Sequence, residues 1–234
     1  MKVIITIPAY NEEDDIEKTI TDIRQVMDKT TYTYFILVQD DCSTDKTLSI
    51  AKKSADFVDT NKQRQGLAIT FQNEMDHCVA LQGDIIVHAD GDGQYLPQYI
   101  PPLIEKIEQG YDLVIGSRFL DGINYGNSPL KAIGNILFSA LISLISGKKT
   151  TDVTSGLRAM DRKTAISIKI RSKFTYTYDQ YLQAVEKKLK IVEIPVKGRK
   201  TRKSRLMKNV FDYTWKALWD ILVNFRRSKN KKGS

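Results

Sequence analysis

The sequence predicts an α/β fold: a mainly parallel sheet flanked by helices, followed by an amphipathic, basic C-terminal helix. Three observations carry this reading. Short runs of Val, Ile, Leu and Phe alternate with segments whose apolar residues recur at helical spacing. Acidic residues follow directly on several of these runs, as they do where an open parallel sheet delivers its strand ends to a crevice. Charge is also uneven: from Lys197 onward the chain holds 13 of its 36 Lys and Arg residues but only two of its 28 acids. A nearly neutral body over residues 1–196 therefore precedes a basic extension over residues 197–234, which is too short to fold alone.

The elements follow in order. Residues 3–7 form the first strand, and Ile16, Ile20, Ile23 and Met27 then line one face of a helix. Residues 34–38 form a second strand, after which Ser43, Thr44 and Asp45 are all suited to cap a helix. Phe57 and Val58 mark a short third strand, residues 67–81 a helix, 84–89 a strand, 99–109 a helix and 111–116 a strand. A loop rich in Gly, Asn and Ser over 121–129 leads to an apolar helix over 132–146. TTDVTSGLRAMD reads as a structured loop, and residues 190–196 as a late strand ending near Pro195.

Composition narrows the function. With 41% hydrophobic residues among 234, a core of ordinary size is expected. The two cysteines, Cys42 and Cys78, have neither CxxC nor metal-type spacing, which points to a reducing compartment. The N-terminus, MKVIITIPAYNEE, turns acidic too soon for a signal peptide, and no apolar run reaches the ~20 residues of a membrane span. There is no G-x-x-x-x-G-K-[ST] loop and no GxGxxG after the first strand, which argues against a P-loop ATPase and an NAD enzyme. His77 and His88 read as structural, since nothing beside either suggests a zinc site.

The chemistry concentrates in IIVHADGDGQYLP, residues 85–97. A buried strand delivers Asp90 and Asp92 to one point, where like charges repel unless a cation joins them. Strand one ends in Pro8, Tyr10, Asn11 and Glu12, and strand two in Asp40 and Asp41, so carboxylates gather at one sheet edge. Such oxygens suit Mg2+ or Mn2+, with substrate phosphates completing the coordination.

Six stretches in order, IPAYNEE, VQDDCSTDKT, QGLA, HADGDGQYLP, IGSR and TSGLRAMD, resemble the family 2 glycosyltransferases, whose fold is GT-A, a Rossmann-like α/β architecture. DVTSGLRAM after an apolar helix and GRKTRKSRL after the last strand resemble the polyprenyl- and dolichyl-phosphate mannose synthases and their glucosyl relatives. The resemblance implies that Pro8, Tyr10, Glu12, Asp40 and Asp41 shape the nucleotide pocket, with Asp41 accepting from the base. It implies that Asp90, Asp92 and Gln94 hold a divalent metal against the diphosphate, Asp90 also contacting the donor and Asp92 being catalytic. Arg118, Ser155 and Arg158 would face the acceptor phosphate, both arginines counting as catalytic, while Arg199, Ser204 and Arg205 cap it from a loop. Two departures stand out. Arg202 and Arg205 take the places of a Gly and a Lys in that loop, and Cys42 that of the Gly in DDGSTD.

The expected reaction moves a hexose from a nucleotide-sugar to a polyprenyl phosphate, with mannose from GDP-mannose ahead of glucose from UDP-glucose. A phosphate acceptor is already largely dianionic at neutral pH and needs no base, whereas a sugar or protein hydroxyl does. The hydroxyl-acceptor alternative would have to draw on Asp152 or Asp121. Direct displacement inverts the anomeric centre. In the tail, Val210, Phe211, Leu218, Ile221, Leu222 and Phe225 form an apolar stripe flanked by Trp215 and Trp219 and followed by a basic cluster. That pattern suits a helix lying on an anionic membrane, and with the cysteine usage it points to the cytoplasmic face. The same stripe also suits packing on the sheet, a membrane subunit or a second copy. A basic nucleic-acid-binding protein is the competing class, opposed by the acid cluster, which would meet phosphates without a metal.

Overall fold

A computed structural model of the chain describes residues 1–123 and 129–199. Its centre is a seven-stranded sheet. The strands are β1 (Lys2–Ala9), β2 (Thr33–Asp40), β3 (Phe57–Thr60), β4 (Ile85–His88), β5 (Leu113–Ser117), β6 (Arg158–Asp161) and β7 (Ile191–Pro195), in the order β3-β2-β1-β4-β6-β5-β7. All neighbours pair in parallel except β6, which runs antiparallel between β4 and β5.

The central strands are apolar on both faces because helices cover both. Val3, Ile5 and Ile7 point to one side, where α1 (Ile16–Met27) and α4 (Ile100–Glu108) lie. The predicted stripe of Ile16, Ile20, Ile23 and Met27 is fully buried there. Ile4, Leu37 and Ile86 point to the other side, toward α3 (Leu67–Ala80), α5 (Pro129–Ser146), α6 (Arg162–Ser167) and α7 (Tyr176–Glu186). α2 (Thr47–Ser54) joins β2 to β3, and the Asp45 carboxylate accepts the amide of Thr47 at 2.9 Å. The N-cap position itself is Lys46, which offers no side-chain cap, so Asp45, an expected cap, braces the first turn from one residue before it.

Three expectations need correction. TSGLRAMD is not all loop, since its Arg158–Asp161 part is the strand β6. Its Arg and Asp ends hide a β pattern, and only pairing on both sides makes it a strand. The helices α6 and α7 went unpredicted; α7 buries Tyr176, Tyr178 and Tyr181 beside polar Thr177, Asp179, Gln180 and Gln183, so its sequence lacks an apolar stripe. Finally, α5 runs 18 residues and by length and composition suffices to cross a membrane. Ala132, Asn135, Phe138, Ser139 and Ile142 are nevertheless buried against the domain, while Leu130, Ile133, Leu137 and Leu144 are exposed.

Candidate functional site

The order β2-β1-β4 places the ends of three strands side by side. Ala9 lies in register with Asp40, and Thr6 with His88, so Tyr10 to Glu12, Asp40 and Asp41, and the Asp90–Gln94 turn emerge at one edge. Because β6 is antiparallel, its entry loop, residues 152–157, comes to the same edge.

The nucleotide-side loops are tied together. Asn11 and Cys42 both take left-handed backbone (φ 53° and 62°). Asn11 N–H donates to Ser43 Oγ at 2.9 Å, Glu12 N–H to Thr47 Oγ1 at 2.7 Å, and Thr44 N–H to Asn11 Oδ1 at 2.8 Å. Tyr10 and Pro8 are half-buried, and the Arg64 guanidinium lies 4.1 Å from the Tyr10 ring centre. Asp41 is 5% exposed, and its carboxylate accepts Asn61 Nδ2 (2.8 Å), Gln65 N–H (2.8 Å) and Gly66 N–H (2.9 Å). It therefore pins the 61–66 loop. Asp40, expected to contact the nucleotide, is fully buried, and its Oδ2 accepts from Ser43 N–H and Thr60 Oγ1, bracing the turn.

The Asp90–Gln94 turn depends on close backbone approach. A Cβ on Gly91 would stand 2.8 Å from the Pro8 carbonyl oxygen, and Gly93 has φ 66°. Asp92 Oδ1 accepts Gln94 N–H at 3.0 Å. Burial, then the charge of Asp90, raises the Asp92 carboxyl from 3.8 to about 6. Two carboxylates that raise one another's cost are what a cation would relieve. Among the described residues no three His, Cys, Asp or Glu side chains converge into a metal cage. The oxygen donors of Asp90, Asp92 and Gln94 are of the kind a hard divalent ion accepts.

Behind this turn His88 is fully buried, with Nδ1 hydrogen-bonded to Glu74 Oε2 at 2.9 Å. Burial pushes the imidazole down, but Glu74 and then Asp90 outweigh it, and its pKa is raised to about 9.

The two arginines expected to face an acceptor are committed inward. Arg118 is 3% exposed, and Nε and Nη2 form a fork with Asp152 at 2.7 and 2.8 Å. Nη2 also donates to Thr154 Oγ1 at 3.0 Å, and Nη1 faces Gln94 Oε1 at 3.4 Å. Arg158 is fully buried, donating to the carbonyls of Ser155 (2.9 Å), Thr177 (2.7 Å) and Val153 (2.6 Å) and to Gln180 Oε1 (2.8 Å). The guanidinium, expected to face an acceptor phosphate, braces the 152–157 loop from inside. Ser155, also fully buried, donates to the Gly116 carbonyl at 2.5 Å and is likewise a brace. Arg199 is exposed; its N–H donates to the Gln94 carbonyl at 2.7 Å, and Gly198 bridges to Tyr95. Ser204, Arg205 and the tail helix lie outside the described residues.

Sequence reasoning missed Asn61, Arg64, Glu74 and Gly156. The first three act through contacts made across the fold, for which no local spacing is a signal. Gly156 lay within the quoted TSGLR stretch, but its use depends on where Asp90 falls.

Comparison with known proteins identifies the family and the fold. A sequence model described as Glycosyl transferase family 2 matches residues 4–168. The chain is 31% identical over 201 residues to an uncharacterized protein of Methanocaldococcus jannaschii, covering 84% of this chain and 81% of that protein. It is 30% identical over 218 residues to a UDP-N-acetylglucosamine–dolichyl-phosphate N-acetylglucosaminyltransferase of Methanococcus voltae, covering 83% and 84%. It is 29% identical over 244 residues to a dolichol-phosphate mannosyltransferase of Pyrococcus furiosus, covering 96% and 67%. The fold is similar to mannosyl-3-phosphoglycerate synthase of Rubrobacter xylanophilus (TM-score 0.73, 14% identity, 98% and 75% covered). It is also similar to glucosyl-3-phosphoglycerate synthase of Mycobacterium tuberculosis, solved with Mn2+, UDP and product (TM-score 0.70, 20% identity, 94% and 79% covered). The chain belongs to glycosyl transferase family 2 and has its GT-A fold.

Proposed function

We propose that this family 2 glycosyltransferase moves a hexose from a nucleotide-sugar to a polyprenyl phosphate at a membrane surface, inverting the anomeric centre. Mannose from GDP-mannose is the preferred donor reading and glucose from UDP-glucose the next. Residues 1–196 form the catalytic body, and 197–234 the extension that meets acceptor and membrane.

The nucleotide lies over Pro8, Tyr10 and Glu12, with the Asp41-pinned loop closing one side. Asp90, Asp92 and Gln94 would hold Mg2+ or Mn2+, which would supply positive charge for the diphosphate leaving group. Arg118 keeps Gln94 in place from the side away from the nucleotide, and Asp152 holds Arg118. The acceptor phosphate approaches the sugar from the Arg199 side, where the basic segment that includes Ser204 and Arg205 begins. Its dianion is the nucleophile, so no proton need be removed; the demand is positive charge, which arginines supply.

One observation carries the phosphate reading over the hydroxyl one. Asp152, the carboxylate beside the acceptor end, is fully buried and engaged by Arg118 and Thr154. A carboxylate so held cannot turn to take a proton from a hydroxyl. Asp121, the other candidate base, stands at an exposed turn. Two features support work at a lipid surface. The relatives include proteins named for dolichyl-phosphate transfer, and α5 presents Leu130, Ile133, Leu137 and Leu144 outward at helical spacing.

The test is a transfer assay with Mn2+, offering labelled GDP-mannose, UDP-glucose or UDP-N-acetylglucosamine with dolichyl or undecaprenyl phosphate. Label entering the organic phase, lost with EDTA, is the expected result and names the sugar. Metal-dependent transfer only to glycan hydroxyls would overturn the acceptor assignment.

A further inference from the structure

The buried pair of Glu74 and His88 has no use in the reading above, and stability alone gives it none. An ion pair in a core is often matched or bettered by apolar residues of the same shape. Here the arrangement is also incomplete: His88 Nε2 has no hydrogen-bond partner among the described residues, and neither has Glu74 Oε1. The ring cannot turn to find one. It is held edge-on by Phe71 (centroids 5.1 Å, planes at 67°) and Tyr176 (4.9 Å, 68°), which stack on each other at 3.8 Å. With Nδ1 fixed on Glu74 at 2.9 Å, Nε2 is aimed at Asp90 Oδ1, 3.8 Å away. Closing that gap to hydrogen-bond distance takes a movement of about 1 Å by Asp90.

We propose that Glu74 and His88 are positioning residues for the metal site: Glu74 orients the imidazole, and His88 Nε2–H clamps one oxygen of Asp90 so that the other is presented to the divalent ion. This rests on the metal reading above. Groups behind a metal's ligands tune affinity in this way, typically by 10- to 100-fold. The arrangement also accounts for a charge pair in the core directly behind the Asp90 turn.

The test uses the full chain and Mn2+ itself, titrated by electron paramagnetic resonance with saturating GDP or UDP. His88→Gln places an amide N–H where Nε2 stands, whereas His88→Asn places one where Nδ1 stands. His88→Asn is expected to weaken Mn2+ binding at least 10-fold and His88→Gln to stay within about 3-fold of wild type. Glu74→Gln, which keeps shape, is the second route should either histidine variant fold poorly; it is expected to weaken Mn2+ by several-fold. Wild-type affinity in folded His88→Asn and Glu74→Gln proteins would overturn the proposal and leave the pair a core feature. No Mn2+ binding by the wild-type protein with either nucleotide is a different result, and it would overturn the metal reading itself.

Discussion

Gly156 and Asp90 touch across the strand boundary: a Cβ on Gly156 would stand 2.3 Å from Asp90 Oδ2 and 2.5 Å from Oδ1. The glycine of TSGLR therefore leaves room for the first carboxylate of the DGD turn. The contact follows from β6 lying antiparallel beside β4, with His88 opposite Arg158.

Gly156→Ala is expected to cost catalysis far more than stability. The obstructed atoms end a short side chain that can rotate away, so unfolding should change by no more than about 1 kcal/mol. Asp90, once rotated, no longer faces the metal, and transfer should fall at least ~10-fold with weaker Mn2+ binding. Urea denaturation beside the transfer assay checks both; unchanged activity would show that the contact is not functional.

Asp92→Asn should abolish transfer yet stabilise the metal-free protein at neutral pH. Its carboxyl titrates near 6 in the folded chain, against 3.8 ordinarily, because burial and then Asp90 disfavour its charge. Between about pH 4 and 6 the native state thus binds more protons than the unfolded one, and stability falls as pH rises through that window. The variant should gain on the order of 2 kcal/mol at pH 7 and nothing at pH 4. Thermal melts at the two pH values measure this, and Mn2+ with nucleotide should raise the melting temperature of wild type only.

Asp152→Asn is expected to destabilise the fold by about 3–5 kcal/mol, because it leaves Arg118 charged and buried without its partner. The double variant Arg118→Met with Asp152→Asn should recover part of that loss while remaining poorly active, since Gln94 loses its neighbour. A variant Asp152→Asn that is fully stable but inactive would instead mark Asp152 as a base and favour the hydroxyl acceptor.

Leu137→Asp with Leu144→Asp probes the outward face of α5. Both side chains are largely exposed, at 65% and 81%, so stability should move by less than about 0.5 kcal/mol. Sedimentation with anionic liposomes should drop several-fold if this face meets lipid, and unchanged sedimentation would remove α5 from the membrane reading.

The sequence by itself determined six of the seven strands and the strand ends at which its acids gather. Strands β1, β2 and β4 are continuous apolar runs because both of their faces are buried, and acids follow where such strands end. Local order of that kind is legible one residue after another. What the tertiary structure decided was which charges remain available. The family resemblance put Arg118 and Arg158 against an acceptor phosphate, and the sequence around neither marks its partner. Folding placed one in the grip of Asp152 and the other among backbone carbonyls, because a buried guanidinium must find acceptors wherever the chain supplies them. The antiparallel β6, the glycine against Asp90 and the histidine behind it depend likewise on contacts between residues far apart in the chain, which no spacing along it records.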